Sequence, residues 1–206
     1  MTLPELLDYA SVFVFALTGA LVASRAQLDI IGFAFVASLT AVGGGTLRDV
    51  LLNRDPVFWI AQPALIGVAV AAATLVFFTA HLFESRLKVL TWLDALALSV
   101  AVPAGVGVAL AAGHHWAVTL IMGIATGCFG GLMRDVVCNE VPLVLKQGEL
   151  YVTAAFAGAA AAVLALHLTA PGPALLICAA VTFALRAGSL TFGWRLPVYK
   201  ARPPRV

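Results

Sequence analysis

Two short stretches of this chain combine formal charge with an unusually free backbone inside otherwise apolar runs. One is Gly43-Gly44-Gly45-Thr46-Leu47-Arg48-Asp49, and the other is Gly130-Gly131-Leu132-Met133-Arg134-Asp135, 86 positions further on. Consecutive glycines weaken a helix and free its backbone groups. If the helix opens there, carbonyls around Thr40 to Val42 and around Thr126 to Cys128 lose their donors. Together with the hydroxyls of Thr40 and Thr126, they are oxygen ligands suited to a hard monovalent cation. The chemistry on offer is therefore ion coordination and passage. The same glycines also suit close packing of one helix on another, as in small-xxx-small contacts.

The Arg-Asp pairs bear on the same question. An unpaired charge at membrane depth costs at least ~2.5–3.5 kcal/mol on insertion scales, so partners are expected for Arg48 and Arg134. Asp49 and Asp135 are adjacent, and Asp8 and Asp94 stand at matching places on earlier runs. Each arginine then either caps one end of a pathway or fixes helix packing through a structural ion pair, and the two roles are compatible.

The elements that must position these residues are membrane helices. Hydrophobic residues make up 62% of the chain and charged residues only 11%, whereas a water-soluble surface needs roughly 25% charged residues. Lipid must therefore be the solvent for much of the exterior. A spanning helix needs about 20 mostly apolar residues, and seven such runs can be laid out: about 3–24, 30–52, 58–83, 90–112, 116–138, 150–169 and 174–192. The fold class expected is an all-α membrane protein with seven transmembrane helices.

The offset of 86 extends well beyond the glycines. It pairs Leu7-Asp8 with Leu93-Asp94, Gly19 with Gly105, Thr40 with Thr126, Arg48-Asp49-Val50 with Arg134-Asp135-Val136, Asn53 with Asn139, and Pro56 with Pro142. Three spans fit one copy, and because three is odd the second copy enters the membrane from the opposite side. One transmembrane domain is expected over residues 1–206. It comprises two inverted three-helix repeats at about 3–83 and 89–169, plus an extra helix at about 174–194. The second and fifth spans, each broken at its glycines, would face each other across a pseudo-two-fold axis in the membrane plane.

Positive charge sets the orientation. Placing the C-terminus in the cytoplasm puts Arg25, Arg86, Lys88, Lys146 and the tail of Arg195, Lys200, Arg202 and Arg205 inside, with the N-terminus out. The tail reads as a cytoplasmic flank, since nucleic-acid binding needs a larger basic face. Arg186 reads as a residue snorkelling to that face, and the four tryptophans (59, 92, 116 and 194) as an interfacial belt. His114-His115 reads as solvated loop. Cys128, Cys138 and Cys178 show neither metal spacing nor a disulfide framework.

The run GGGTLRDVLLNRDPVFW (43–59) resembles a signature of the prokaryotic trimeric intracellular cation (TRIC) channel family, also catalogued in bacteria as a glycine transporter-like domain family. The partner run FGGLMRDVVCNEVPLVL and the C-terminal FGWRLP are similar to it as well. The resemblance implies a homotrimer in the plasma (inner) membrane, each protomer holding its own pore for potassium and other monovalent cations, sodium included. It assigns the pore lining to Gly43, Gly44, Gly45, Gly130 and Gly131, with Arg48 and Arg134 beside them. Phe129 departs from the pattern, standing where a full second triplet would have glycine, and is expected to narrow one half of the path or act as an apolar gate. The Lys-Glu-Val motif that ties animal members to phosphoinositide lipid is absent from this sequence.

Three function classes compete. A cation channel fits the paired glycine runs and the oxygen ligands. A secondary transporter of a small zwitterion such as glycine also fits inverted repeats with broken helices, whose half-helix N-termini would bind a carboxylate. An enzyme does not fit: no Ser-His dyad, paired-Asp motif or zinc pattern stands at usable spacing. No cofactor and no metal beyond the permeating ion are expected. The partners expected are further copies of the chain and membrane lipid.

Overall fold

The computed structural model describes residues 3–82 and 86–199, with the side chains at 3, 4 and 86 outside that description. Lys200, Arg202 and Arg205, and the side chain of Arg86, for which charge placements were drawn, lie outside the described residues. Eight helices follow in order: α1 Leu3–Arg25, α2 Ile30–Leu51, α3 Phe58–Ala61, α4 Ala64–Thr79, α5 Arg86–Ala111, α6 Trp116–Val137, α7 Val152–Ala165 and α8 Pro171–Phe192. The all-α expectation holds among these residues, where the one β feature is an isolated antiparallel bridge between Glu149 and Arg195.

Six helices have the length and apolarity of a membrane span, while α7 is shorter at 14 residues. At 1.5 Å per residue α7 covers about 21 Å, less than the ~30 Å hydrocarbon core. The expected sixth span began near residue 150, but residues 143–151 are used differently. A 3₁₀ turn at Leu143–Leu145 and the loop after it bring backbone and side chains to two buried charge centres described below. The expected third span, 58–83, is likewise divided. Pro63 cannot donate a backbone hydrogen bond, and the chain breaks at Gln62 between α3 and α4.

A larger correction concerns the glycines. Both α2 and α6 run unbroken through their glycine stretches, and Thr40 and Thr126 donate their hydroxyls to the Val36 and Met122 carbonyls of the preceding turn, each at 2.6 Å. The expected broken helices with opened carbonyls are not present. What the glycines provide is close approach. The position a Gly44 Cβ would take is filled by the Thr126 carbonyl oxygen, and that of a Gly130 Cβ by the Thr40 carbonyl oxygen. Residue 40 meets 130 and residue 44 meets 126, so the contact is reciprocal and α2 and α6 run antiparallel through it. A side chain at either glycine would drive a backbone apart, which is why the helices can cross here.

The same logic sets α1 on α2 and α5 on α6. A Cβ at Gly19 would lie 2.6 Å from the Thr40 hydroxyl, and one at Gly105 2.5 Å from that of Thr126. α1, α2 and α4 pack mutually, as do α5, α6 and α7, while α1 meets α5 and α2 meets α6 between the two groups. α8 packs on α5 and α7. The core is built mostly of alanine and valine, with Ala16, Ala20, Ala37, Ala97, Ala155 and Ala159 fully enclosed. Without a hydrophobic force between helices in lipid, such small residues maximise van der Waals contact.

The helix ends repeat too. Asp29 caps α2 by accepting the Gly32 N–H at 2.7 Å, and His115, at the matching position, caps α6 by accepting the Ala117 N–H through Nδ1 at 3.3 Å. His115 is thus a cap as well as the exposed loop residue expected. Asn53 and Asn139 end the helices in the left-handed region, with φ of 51° and 54°, a conformation asparagine tolerates.

A Gly44→Ala substitution should lower the thermal midpoint in detergent, since the overpacking cost is about 1–3 kcal/mol. Gly67→Ala, which meets nothing within 4 Å, should leave it unchanged or raise it slightly; equal effects at both positions would contradict the close-approach role.

Candidate functional site: two buried arginine centres

The last turn of α2 and the last turn of α6 each present an arginine and an aspartate, and the neighbouring helices supply what those charges need. Arg48 is fully buried. Its Nε donates to Asp49 Oδ1 at 2.8 Å and its Nη1 to Asp8 Oδ1, on α1, at 3.1 Å. Arg134, also fully buried, repeats the pattern: Nε to Asp135 Oδ1 at 2.7 Å and Nη1 to Asp94 Oδ1, on α5, at 2.9 Å. Both partner sets expected from the sequence are therefore used at once.

An aspartate at a helix C-terminus opposes the helix dipole, and each of these two finds compensation in donors from the following segment. Asp49 Oδ2 accepts the Phe58 N–H at 2.8 Å, at the start of α3, and Oδ1 accepts from Arg54 Nη1 at 2.9 Å. Asp135 Oδ2 accepts the Leu143 N–H at 2.8 Å. The spacings differ, nine residues in one case and eight in the other. The offset of 86 thus loses one residue in this loop, and Pro142 stands where Val57, not Pro56, stands in the first copy: both precede the donated N–H with extended backbone. The gap-free match of Pro56 with Pro142 is corrected accordingly.

The two centres touch α1 ten residues apart, at Asp8 and, through an Arg134 Nη1 bond of 2.9 Å, at Thr18. Ten residues of helix are about 15 Å, so the centres lie at different depths along α1. Their surroundings also differ. A cavity of about 220 Å³ lined by Glu5, Asp8, Arg54, Phe58 and Gln62 adjoins the Arg48 centre, and the Asp8 side chain keeps 18% of its surface exposed. The Asp94 side chain keeps none. Around Arg134, the Tyr151 hydroxyl and Asp94 Oδ1 lie 3.3 and 3.6 Å from the point where a Gly131 Cβ would sit. In the first copy the Phe58 ring fills the matching place at Gly45 and lies under the Arg48 guanidinium at 5.2 Å.

Of the residues singled out from the sequence, Thr40, Gly43, Gly44, Gly45, Thr126, Gly130 and Gly131 are buried at or beside the α2–α6 crossing, and Arg48, Asp49, Asp8, Arg134, Asp135 and Asp94 form the two centres. Phe129 lines an open apolar groove of about 390 Å³ with Leu39, Val42, Gly43, Trp59 and Met133, beside the crossing and apart from both charge centres. Arg186 is a correction: it is fully buried, not snorkelling, and its Nη2 lies 2.8 Å from Glu149 Oε2. Thr18, Phe58 and Tyr151 were not anticipated. The aromatics have a usable signal, since each begins or precedes the helix that follows an Arg-Asp turn.

An all-helical membrane protein with six full-length apolar helices, holding two matched arginine centres at different depths, is the class that fold and site define. The chain belongs to the prokaryotic TRIC channel family. The family profile described as "Glycine transporter" matches residues 5–81 and again 91–167. The chain is similar to the TRIC trimeric intracellular cation channel orthologue from Rhodobacter sphaeroides, with 43% identity and a TM-score of 0.90 over 94% of this chain and 100% of that one. A prokaryotic TRIC channel solved in 0.5 M KCl aligns with 25% identity and a TM-score of 0.87, covering 92% and 96% of the two chains. A UPF0126 membrane protein of Vibrio cholerae serotype O1 is 36% identical, spanning 94% of this chain and 82% of its own. The UPF0126 inner membrane protein YadS of Escherichia coli strain K12 is 37% identical over 74% of this chain and 73% of its own.

Breaking a buried pair by removing one partner costs about 3–5 kcal/mol. Asp94→Asn should therefore lower the thermal midpoint markedly, and Asp8→Asn should lower it less, because the cavity lets water reach the charge left on Arg48. A larger loss from Asp8→Asn would contradict the difference in enclosure.

Proposed function

We propose that this chain is a cation channel of the prokaryotic inner membrane, passing potassium and, less selectively, sodium along a path within each protomer. The observation that carries the reading is the reciprocal antiparallel crossing of α2 and α6, with an arginine centre beyond it on each side. The two profile matches and the repeated contacts favour two units of three spans each, α1–α4 (with α3 and α4 as one divided span) and α5–α7, related by a pseudo-two-fold axis in the membrane plane. With α7 completed by its flanking loop and α8 added outside the repeat, seven crossings result, with the N-terminus outside and the C-terminus in the cytoplasm. The ion pair between Arg25 at the end of α1 and Glu140 after α6, at 3.3 Å, fits that arrangement, because both residues then face the cytoplasm.

In this reading Arg48 and Arg134 set the field at the two ends while their carboxylates keep it acceptable to cations. Thr40, Thr126 and the glycines between them form the narrow middle, and opening it would require the helices to bend or separate at the glycines, which lack the side chains that would resist it. Three copies assemble as a homotrimer, as the names of the similar structures suggest for this chain, with membrane lipid as the surrounding partner. No resident cofactor enters the mechanism.

The profile's description favours a second reading, a transporter of glycine. That reading drew its carboxylate site from half-helix N-termini, whereas α2 and α6 are continuous and the N–H at the start of α3 already binds Asp49.

Purified protein in planar bilayers under a KCl gradient should give steady single-channel currents that reverse near the potassium potential, and Arg48→Gln should change their amplitude or selectivity. Saturable glycine exchange in liposomes without such currents would overturn the channel reading in favour of the transporter.

A further inference from the structure

The second half of the chain carries a charged assembly that the first half lacks. Arg186 of α8 has no exposed side-chain surface, and its guanidinium lies 5.0 Å above the Tyr151 ring and 2.8 Å from Glu149. Tyr151 is itself buried, and its hydroxyl points to the Gly131 face of α6 beside the Arg134 guanidinium and Asp94. A continuous line thus runs from Glu149 through Arg186 and Tyr151 to the Arg134 centre. At the Arg48 centre the corresponding aromatic, Phe58, borders an open cavity instead.

What holds this line in place is the end of α8. Gly193 turns the chain back in the left-handed region at φ 68°, a conformation that costs glycine little. Leu196 N–H then donates to the Gly148 carbonyl at 2.9 Å, and Arg195 bridges to Glu149. Ser189 Oγ ties the two segments by accepting the Leu150 N–H at 3.3 Å and donating to the Trp194 carbonyl at 3.1 Å. The Trp194 ring rests directly on Gly188, in the space a side chain would take. The fold-back therefore presses on the loop that carries both Glu149 and Tyr151.

The assembly is closed but not electrostatically complete. Arg186 Nε, Nη1 and Nη2 have no aligned hydrogen bond among the described residues, the contact to Glu149 being close in distance without donor alignment. A buried guanidinium paired with a single carboxylate is costly once that carboxylate moves away, and the fold-back ties down the loop that carries Glu149. Such a contact is suited to opening.

We propose that Tyr151 is the closed gate at the Arg134 end of the path, and that the Glu149–Arg186 pair, pinned by residues 193–196, is its latch. The proposal rests on the channel reading for what passes the gate, but the latch can be read without any flux. Cys128 packs in the same cluster as Tyr151 and is 7% exposed, so its reaction with a membrane-impermeant thiol reagent reports water reaching that point.

The test uses full-length protein in liposomes with Cys138→Ser and Cys178→Ala, so that Cys128 is the remaining thiol. Trp194→Ala should raise the rate of Cys128 modification by roughly tenfold, the effect of a 1.4 kcal/mol shift in the closed–open balance, and raise potassium flux with it. Trp194→Phe should restore protection. If Trp194→Ala does not fold, Glu149→Gln, which keeps the side chain's shape and removes its charge, should show the same rise. Faster modification without flux in any sample would uphold the latch and overturn the channel reading. Potassium flux in the parent protein, with modification rates unchanged in the folded variants, would overturn the latch alone.

Discussion

A guanidinium enclosed away from water must bring its counter-charges with it, and that requirement decides where four helices of this protein sit. Arg48 and Arg134 each take one aspartate from the next position in sequence and one from a residue 40 positions earlier. The first contact orients the side chain along its own helix. The second brings α1 to α2 and α5 to α6 at a fixed register, because only one face of the earlier helix carries the carboxylate. Gly19 and Gly105 then allow those pairs to close on Thr40 and Thr126. Charge sets the register and the missing side chains set the distance.

The crossing of α2 and α6 depends on the same registers. Gly44 and Gly130 meet the carbonyls of Thr126 and Thr40, so the threonines serve two contacts each: one to the glycine of the preceding helix within their own group, and one across to the other group. A shift of α1 against α2 would move Thr40 and disturb both. The two arginine centres are therefore not isolated ion pairs but the outer anchors of one packed core, and removing a charge at either end acts on the crossing between them.

Much of this was legible in the sequence, and the reasons are physical. Charged residues at membrane depth are costly, so Asp8, Asp94 and the two Arg-Asp pairs could be expected to find one another, and they do. The glycine runs pointed to the right helices but suggested the wrong state, because a glycine that weakens a helix and a glycine that admits a neighbour look alike until the neighbour is placed. Here the facing carbonyls fill the space and the helices stay whole. The one-residue change in the loop after Asn139 was hidden because Pro142 matches Pro56 in type while it matches Val57 in backbone role. Arg186 was misplaced for a related reason: its partner Glu149 lies on the loop just before the sixth expected span, and no periodic signal joins the two. Phe129 stands next to a glycine pair by sequence, yet its helix face turns it to an open apolar groove.

The likeness between the two halves extends from helix caps to ion pairs, and the differences gather in the loops after α2 and α6 and in what covers each centre. One end opens to a polar cavity, and the other is covered by Tyr151 and the fold-back after α8. The proposed path then has two ends of similar chemistry and different access, provided the two halves face opposite sides of the membrane. That inversion is the central claim. It is tested most directly by single cysteines at Asn53 and Asn139, at the ends of α2 and α6, with the native cysteines replaced and the protein in oriented membrane vesicles. The account predicts that an impermeant thiol reagent labels residue 53 only from the outer side and residue 139 only from the cytoplasmic side. Labelling of both positions from the same side would contradict it.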